Sequence, residues 1–64
     1  MLMIYGKYVT DKKFSPIDMN IGQPVRNKIY ATIYGDTEKT RLEKALEQLH
    51  SDNPDWKFEI RKVN

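Results

Sequence analysis

Leu42, Ala45, Leu46 and Leu49 stand at i, i+3, i+4 and i+7, which lays an apolar stripe along one side of a helix. Charged residues fill most positions between them, and Lys39 with Glu43 makes an i,i+4 pair. The pattern predicts a helix over 37–50. Asp36 or Thr37 offers an N-cap oxygen to an otherwise unpaired amide. Glu38 in the first turn suits the positive end of the helix dipole. Ser51-Asp52-Asn53-Pro54 ends the helix, because proline cannot continue it and disfavours helical geometry in the residue before. One such helix cannot bury its stripe alone. A chain of 64 residues has room for one domain, 1–64, and one core. The remaining segments must therefore supply the surface on which the stripe packs.

They have the composition to do so. Residues 2–10 are rich in β-formers and read as a strand. In residues 25–34, Asn27, Ile29, Ala31 and Ile33 alternate with Lys28, Tyr30, Thr32 and Tyr34, the period of a strand with two unlike faces. Gly35 ends it. In residues 56–61, Trp56, Phe58 and Ile60 alternate with Lys57, Glu59 and Arg61, the signature of a half-buried strand. Residues 14–24 carry two prolines and a glycine, which disfavour regular structure. Yet Phe14, Ile17, Met19 and Ile21 are apolar, so this segment is expected to lie on the core as a packed loop.

The expected fold is α+β: a single helix on one face of a three-stranded, mostly antiparallel sheet, in the sequence β-loop-β-α-β. A right-handed crossover places the last strand parallel to the second. The first strand is the most apolar and takes the middle, giving the order 2-1-3 with both neighbours antiparallel to it. An alternative lengthens the first strand into a hairpin through Asp11-Lys12-Lys13, with Phe14 pairing back to make a fourth strand. The helix stripe is expected to cover Ile29, Ala31, Ile33, Trp56, Phe58 and Ile60.

Chemistry is excluded more readily than assigned. The chain has no cysteine, so a disulfide framework and a thiolate metal site are both ruled out. His50 is the sole histidine and lacks the partners that a general base or metal ligand requires. Its expected place is local, at the helix C-terminus facing unpaired carbonyls. Asp52 and Asp55 read as a cap and a loop residue. Ser15 precedes proline with no base in view. Gly6, Gly22 and Gly35 match no phosphate-cradling spacing. No enzyme activity, cofactor or metal is expected. The apolar start breaks at Gly6 and Lys7, short of a signal peptide. No window approaches the roughly 20 apolar residues of a membrane span. The expected compartment is the cytoplasm.

What remains is a surface. Opposite the helix, the expected sheet presents Lys28, Tyr30, Thr32, Tyr34, Lys57, Glu59 and Arg61. Tyr5 with Lys7, or Tyr8, joins them according to register. Tyrosine and arginine are favoured anchors for a protein partner. The same face could stack single-stranded nucleic acid, although Glu59 opposes phosphate and the net charge is only +2. Tyr and Thr are also ordinary β-formers on a solvated strand. The expected partner-binding residues are Lys28, Tyr30, Thr32, Tyr34, Lys57 and Arg61, with a protein as partner and nucleic acid as the alternative. A homodimer through the edge strand 56–61 is a further option.

Lys13-Phe14-Ser15-Pro16, then Asn27 to Thr32, then Asn53-Pro54-Asp55-Trp56-Lys57-Phe58-Glu59-Ile60-Arg61 resemble a family of small uncharacterised proteins from phages, prophages and mobile elements of Gram-positive bacteria. The resemblance runs from about Tyr5 to Val63. It implies a setting, that of an accessory protein that binds another protein or, less often, nucleic acid, and assigns no functional residue.

Overall fold

A computed structural model describes residues 1–63 of the chain; Asn64 lies outside them. The elements run β1 (Leu2–Tyr8), β2 (Ser15–Asp18), β3 (Gln23–Pro24), a 3-10 turn (Lys28–Tyr30), β4 (Ile33–Tyr34), α1 (Lys39–Asp52) and β5 (Trp56–Lys62). The α+β class and the single helix are as expected. The sheet has five strands, not three.

β1 is central and antiparallel to each strand it meets. β5 pairs along its whole length, from Leu2 opposite Lys62 to Tyr8 opposite Trp56. The other edge of β1 is divided. β4 takes its start, with Leu2 opposite Tyr34, and β2 takes its second half, with Tyr5 opposite Pro16. β3 pairs with the outer side of β2. The first strand is thus in the middle, and β4 and β5 run parallel to one another on either side of it.

Segment 14–24 is therefore a hairpin rather than an irregular loop. A residue in a strand points its N–H and C=O the same way. The carbonyl of Pro16 accepts from the Val25 amide, so the donor that proline lacks also faces β3 and leaves the β1 ladder intact. The turn between β2 and β3 closes on Asp18, whose carbonyl accepts from Gly22 N at 2.8 Å. Gly22 has φ +64°, a conformation natural to glycine. The alternative hairpin through Asp11-Lys12-Lys13 is the one that forms, with pairing from Ser15 rather than Phe14.

The expected strand 25–34 is the main correction. Only Ile33 and Tyr34 are extended partners of β1. Ahead of them Asn27 Oδ1 accepts from the Ile29 amide and caps the 3-10 turn. β2 already holds the edge of β1 that a longer strand would need. The chain must instead travel from the outer side of β2 to β1, and the turn packs against β2 on the way.

The core lies between α1 and one sheet face: Ile4, Ile17, Tyr34, Leu42 and Leu49, flanked by Leu2, Met19, Ala45, Leu46 and Phe58. Gly6 sits among them, opposite Phe58. Met3 and Ala31 are buried apart from this cluster. α1 spans Lys39–Asp52 rather than 37–50, because Glu38, not Asp36 or Thr37, takes the N-cap position. The Glu38 carboxylate accepts from Gly35 N and pairs with Arg41. At the other end, Asn53 satisfies the Leu49 carbonyl with both its backbone and its side-chain N–H.

Candidate functional site

β-strand side chains alternate between faces, so the register of β1 sorts the surface residues. On the face away from α1, Met3 lies opposite Arg61, Tyr5 opposite Glu59 and Lys7 opposite Lys57. Tyr5 with Lys7, rather than Tyr8, therefore joins Lys57 and Arg61. The Arg61 guanidinium stands 4.3 Å from the Tyr5 ring centre and 5.5 Å from that of Phe14. Lys7 Nζ lies 5.2 Å from the Phe14 ring centre. Arg61 Nε also pairs with Glu59. This half of the expected face exists, but two of its cations, Lys7 and Arg61, are already seated on its own aromatic rings.

The other half does not form. Tyr34 is on the opposite face, 5% exposed, inside the core. Burial raises its phenol pKa above the ordinary value, opposed by the nearby Arg41 guanidinium. Ile33, expected in the core, is 50% exposed. The single-residue offset between expected and actual facing exchanges the two. Thr32 is half-buried and structural: its amide donates to Ile17 O, and its Oγ1 accepts from Met19 N at 2.8 Å. Lys28 and Tyr30 lie in the 3-10 turn and are exposed. The structure thus separates the six expected binding residues into a core residue, a structural residue, a turn pair and a strand pair.

An unexpected cluster replaces them. Ile29 is 70% exposed, Tyr30 66% and Ile33 50%. Their backbone is held by the Asn27 cap, by Tyr30 N to Asn27 O, and by Ala31 N to Lys28 O. From Met19 to Gly35 the chain carries Arg26 and Lys28 and no acid. Alternation across 25–34 concealed this cluster, because a strand would have buried Ile29 and Ile33. Asn27, a residue suited to capping turns, is the signal that could have revealed it.

A separate cavity of about 330 Å³ opens between the β2–β3 hairpin, the end of α1 and the start of β5. Ile17, Leu49, Trp56 and Phe58 form its apolar lining, and the amides of Gln23 and Asn53 border it. It contains no ionisable side chain. His50, expected to face the helix carbonyls, sets its ring edge-on to Phe58 at 5.1 Å. Asp52 accepts from Gln48. Among the described residues, no three His, Cys, Asp or Glu side chains are grouped to hold a metal ion. No helix among them is long and apolar enough to cross a membrane. In comparisons with known proteins, no family model, curated protein or solved structure matches the chain.

Proposed function

We propose that this chain is a small non-catalytic binding module that docks on a protein partner through the 3-10 turn and its flanks. The observation that carries the reading is the exposure of Ile29, Tyr30 and Ile33 within five consecutive residues. Large apolar side chains grouped on a surface mark interaction sites, and tyrosine is a frequent anchor. The turn is fixed by its own hydrogen bonds, so little ordering entropy is lost on binding. Arg26 and Lys28, with no acid nearby in sequence, favour a partner with an apolar recess and an acidic rim.

The single-stranded nucleic-acid reading has less support. It needs several free aromatic faces, whereas Tyr34 is in the core and Arg61 covers Tyr5, which leaves Tyr30 alone of these three with an exposed ring. The resemblance to small mobile-element proteins suits an accessory role in binding a protein more than one in binding nucleic acid.

The test is affinity capture with wild type, with the Ile29→Ser/Tyr30→Ala double variant, and with the exposed Lys44→Ala variant as control. A partner retained by wild type and Lys44→Ala, and lost with the double variant, is expected. Amide shifts on adding that purified partner should centre on 26–33. Capture that is indifferent to the double variant would sink the proposal, and so would shifts confined to other segments.

A further inference from the structure

We propose that two copies of this chain associate through β5, antiparallel across a two-fold axis at Phe58, extending the sheet from one copy into the other. β5 pairs only with β1; at its start the outward Trp56 amide donates to Asn53 O at 3.0 Å, and the outer edge is open from Phe58 onward. The ladder fixes which groups that edge presents. Val63 N donates to Met1 O and Val9 N to Asp55 O, so the odd-numbered residues of β5 direct their N–H and C=O toward β1. Phe58 and Ile60 therefore direct theirs outward. An edge of this kind is a template for another strand.

A two-fold axis allows few registers, and side-chain charge chooses among them. With the axis at Glu59, Glu59 meets its own copy and Lys57 meets Arg61. With the axis at Lys57, Lys57 meets its copy and Asp55 meets Glu59. Both set like charges directly opposite one another, which is unfavourable. With the axis at Ile60, Glu59 meets Arg61, but Phe58 is set against Lys62. With the axis at Phe58, Lys57 meets Glu59 twice, Asp55 meets Arg61 twice and Trp56 meets Ile60 twice. Phe58 then exchanges main-chain hydrogen bonds with Phe58 of the second copy. Lys57 and Glu59 occupy a non-hydrogen-bonded pair, the kind with the closer side chains.

The monomer leaves this arrangement wanted. Lys57 lies opposite Lys7 in the β1–β5 ladder and has no ion pair among the described residues. Glu59 of a second copy, which in its own chain pairs with Arg61, would supply one through its second carboxylate oxygen. Ile60, 42% exposed, would be covered by Trp56 of that copy. The interface does not use the 3-10 turn, so its failure would not touch the docking proposal.

The test is sedimentation equilibrium over a concentration series, with fluorescence of Trp56, the sole tryptophan, as a second readout. Wild type is expected to dimerise, with a blue shift as concentration rises. Lys57→Glu should weaken association about tenfold or more, because two attractive pairs become repulsive. The same change relieves the Lys7–Lys57 opposition, so the variant should remain folded by circular dichroism. Glu59→Lys should weaken association similarly, and the double exchange Lys57→Glu/Glu59→Lys should restore it. A mass of 7.6 kDa for wild type up to about 1 mM, where even weak association would show, overturns the proposal. Sensitivity to Glu59→Lys alone, or a double exchange that fails to restore association, overturns the Phe58 axis.

Discussion

Gly6 is where the packing of this fold has least room, and replacing it with alanine should lower stability despite the usual advantage of alanine in a strand. A Cβ at Gly6 would lie 2.7 Å from both Cδ1 and Cε1 of Phe58 and 3.2 Å from Ile17 Cδ1. Among the described residues, the only glycine with positive φ is Gly22, so the backbone at Gly6 is open to alanine and the obstacle is steric. Relative to glycine, alanine contributes about 0.5–1 kcal/mol through the lower entropy of the unfolded chain. Overpacking a core opposes this by about 1–3 kcal/mol. The upper end does not apply, because the clash is with a ring edge and Phe58 borders the 330 Å³ cavity. The ring can retreat, at the expense of its contact with His50. A steric cost of about 2 kcal/mol leaves a net loss of about 1 kcal/mol. For a domain of this size that lowers Tm by about 4–8 °C.

The assay is urea unfolding followed by far-UV circular dichroism for wild type, Gly6→Ala, Phe58→Leu and the double variant. Phe58→Leu removes the ring edge. In that background Gly6→Ala should become neutral or mildly stabilising, a coupling of about 1–2 kcal/mol between residues in contact. An equal effect of Gly6→Ala in both backgrounds would refute the steric reasoning. A gain in stability from Gly6→Ala in the wild-type background would refute it more directly.

Three further outcomes are expected. Tyr34→Ala should destabilise by about 3 kcal/mol, as for other buried aromatic truncations, whereas Tyr30→Ala should change stability by no more than about 0.5 kcal/mol; the reverse ranking in thermal melts would mean that the register of β4 is wrong. The phenol of Tyr34 should titrate above the ordinary tyrosine value of about 10 when phenolate absorbance is followed with pH, since burial raises its pKa. The fold favours the neutral phenol, so this contribution is fully present below about pH 10 and is lost as pH rises toward the raised folded value; in Tyr34→Phe that alkaline loss should shrink. Gly22→Ala should cost about 1 kcal/mol from its left-handed backbone alone, because nothing lies within 4 Å of the added Cβ, and Gly22→Asn should cost less in the same melts.

The helix and β5 were legible because each repeats one period without interruption. Leu42 and Leu49 are buried where the stripe placed them. The alternation from Trp56 to Arg61 also assigned its two faces correctly, since Phe58 packs on the core and Lys57 does not. In segment 14–24 the strand signal is masked, because Pro16 and Pro24 count as breakers. Proline removes only one donor, and at Pro16 that donor faces β3. Ile17 and Met19 alternate toward the core, and with the Asp18–Gly22 turn they carried a strand signal that the prolines outweighed. Segment 25–34 failed for the opposite reason. Its alternation is real, but the edge of β1 that it needed is already occupied. Edge occupancy is set by residues elsewhere in the chain, and a local period contains no trace of it.

The same distinction explains why the candidate site moved. A face assigned from alternation holds only if pairing extends through the whole segment. In β5 it does, and Lys57 and Arg61 stayed where they were expected, with the register of β1 adding Tyr5 and Lys7. In 25–34 pairing begins only at Ile33, so the residues before it are freed from the alternation. Tyr34 then turns to the helix, while Ile29 and Tyr30 ride on the turn into solvent. The exposed cluster is thus a consequence of the hairpin that displaced the strand. If the β2–β3 hairpin were loosened, as by Gly22→Ala, the 3-10 turn would lose the β2 surface it packs on and the Thr32–Ile17 bond would weaken with it. Partner capture through Ile29 and Tyr30 should then fall along with hairpin stability, while association through β5, on the other edge of β1, should be unchanged.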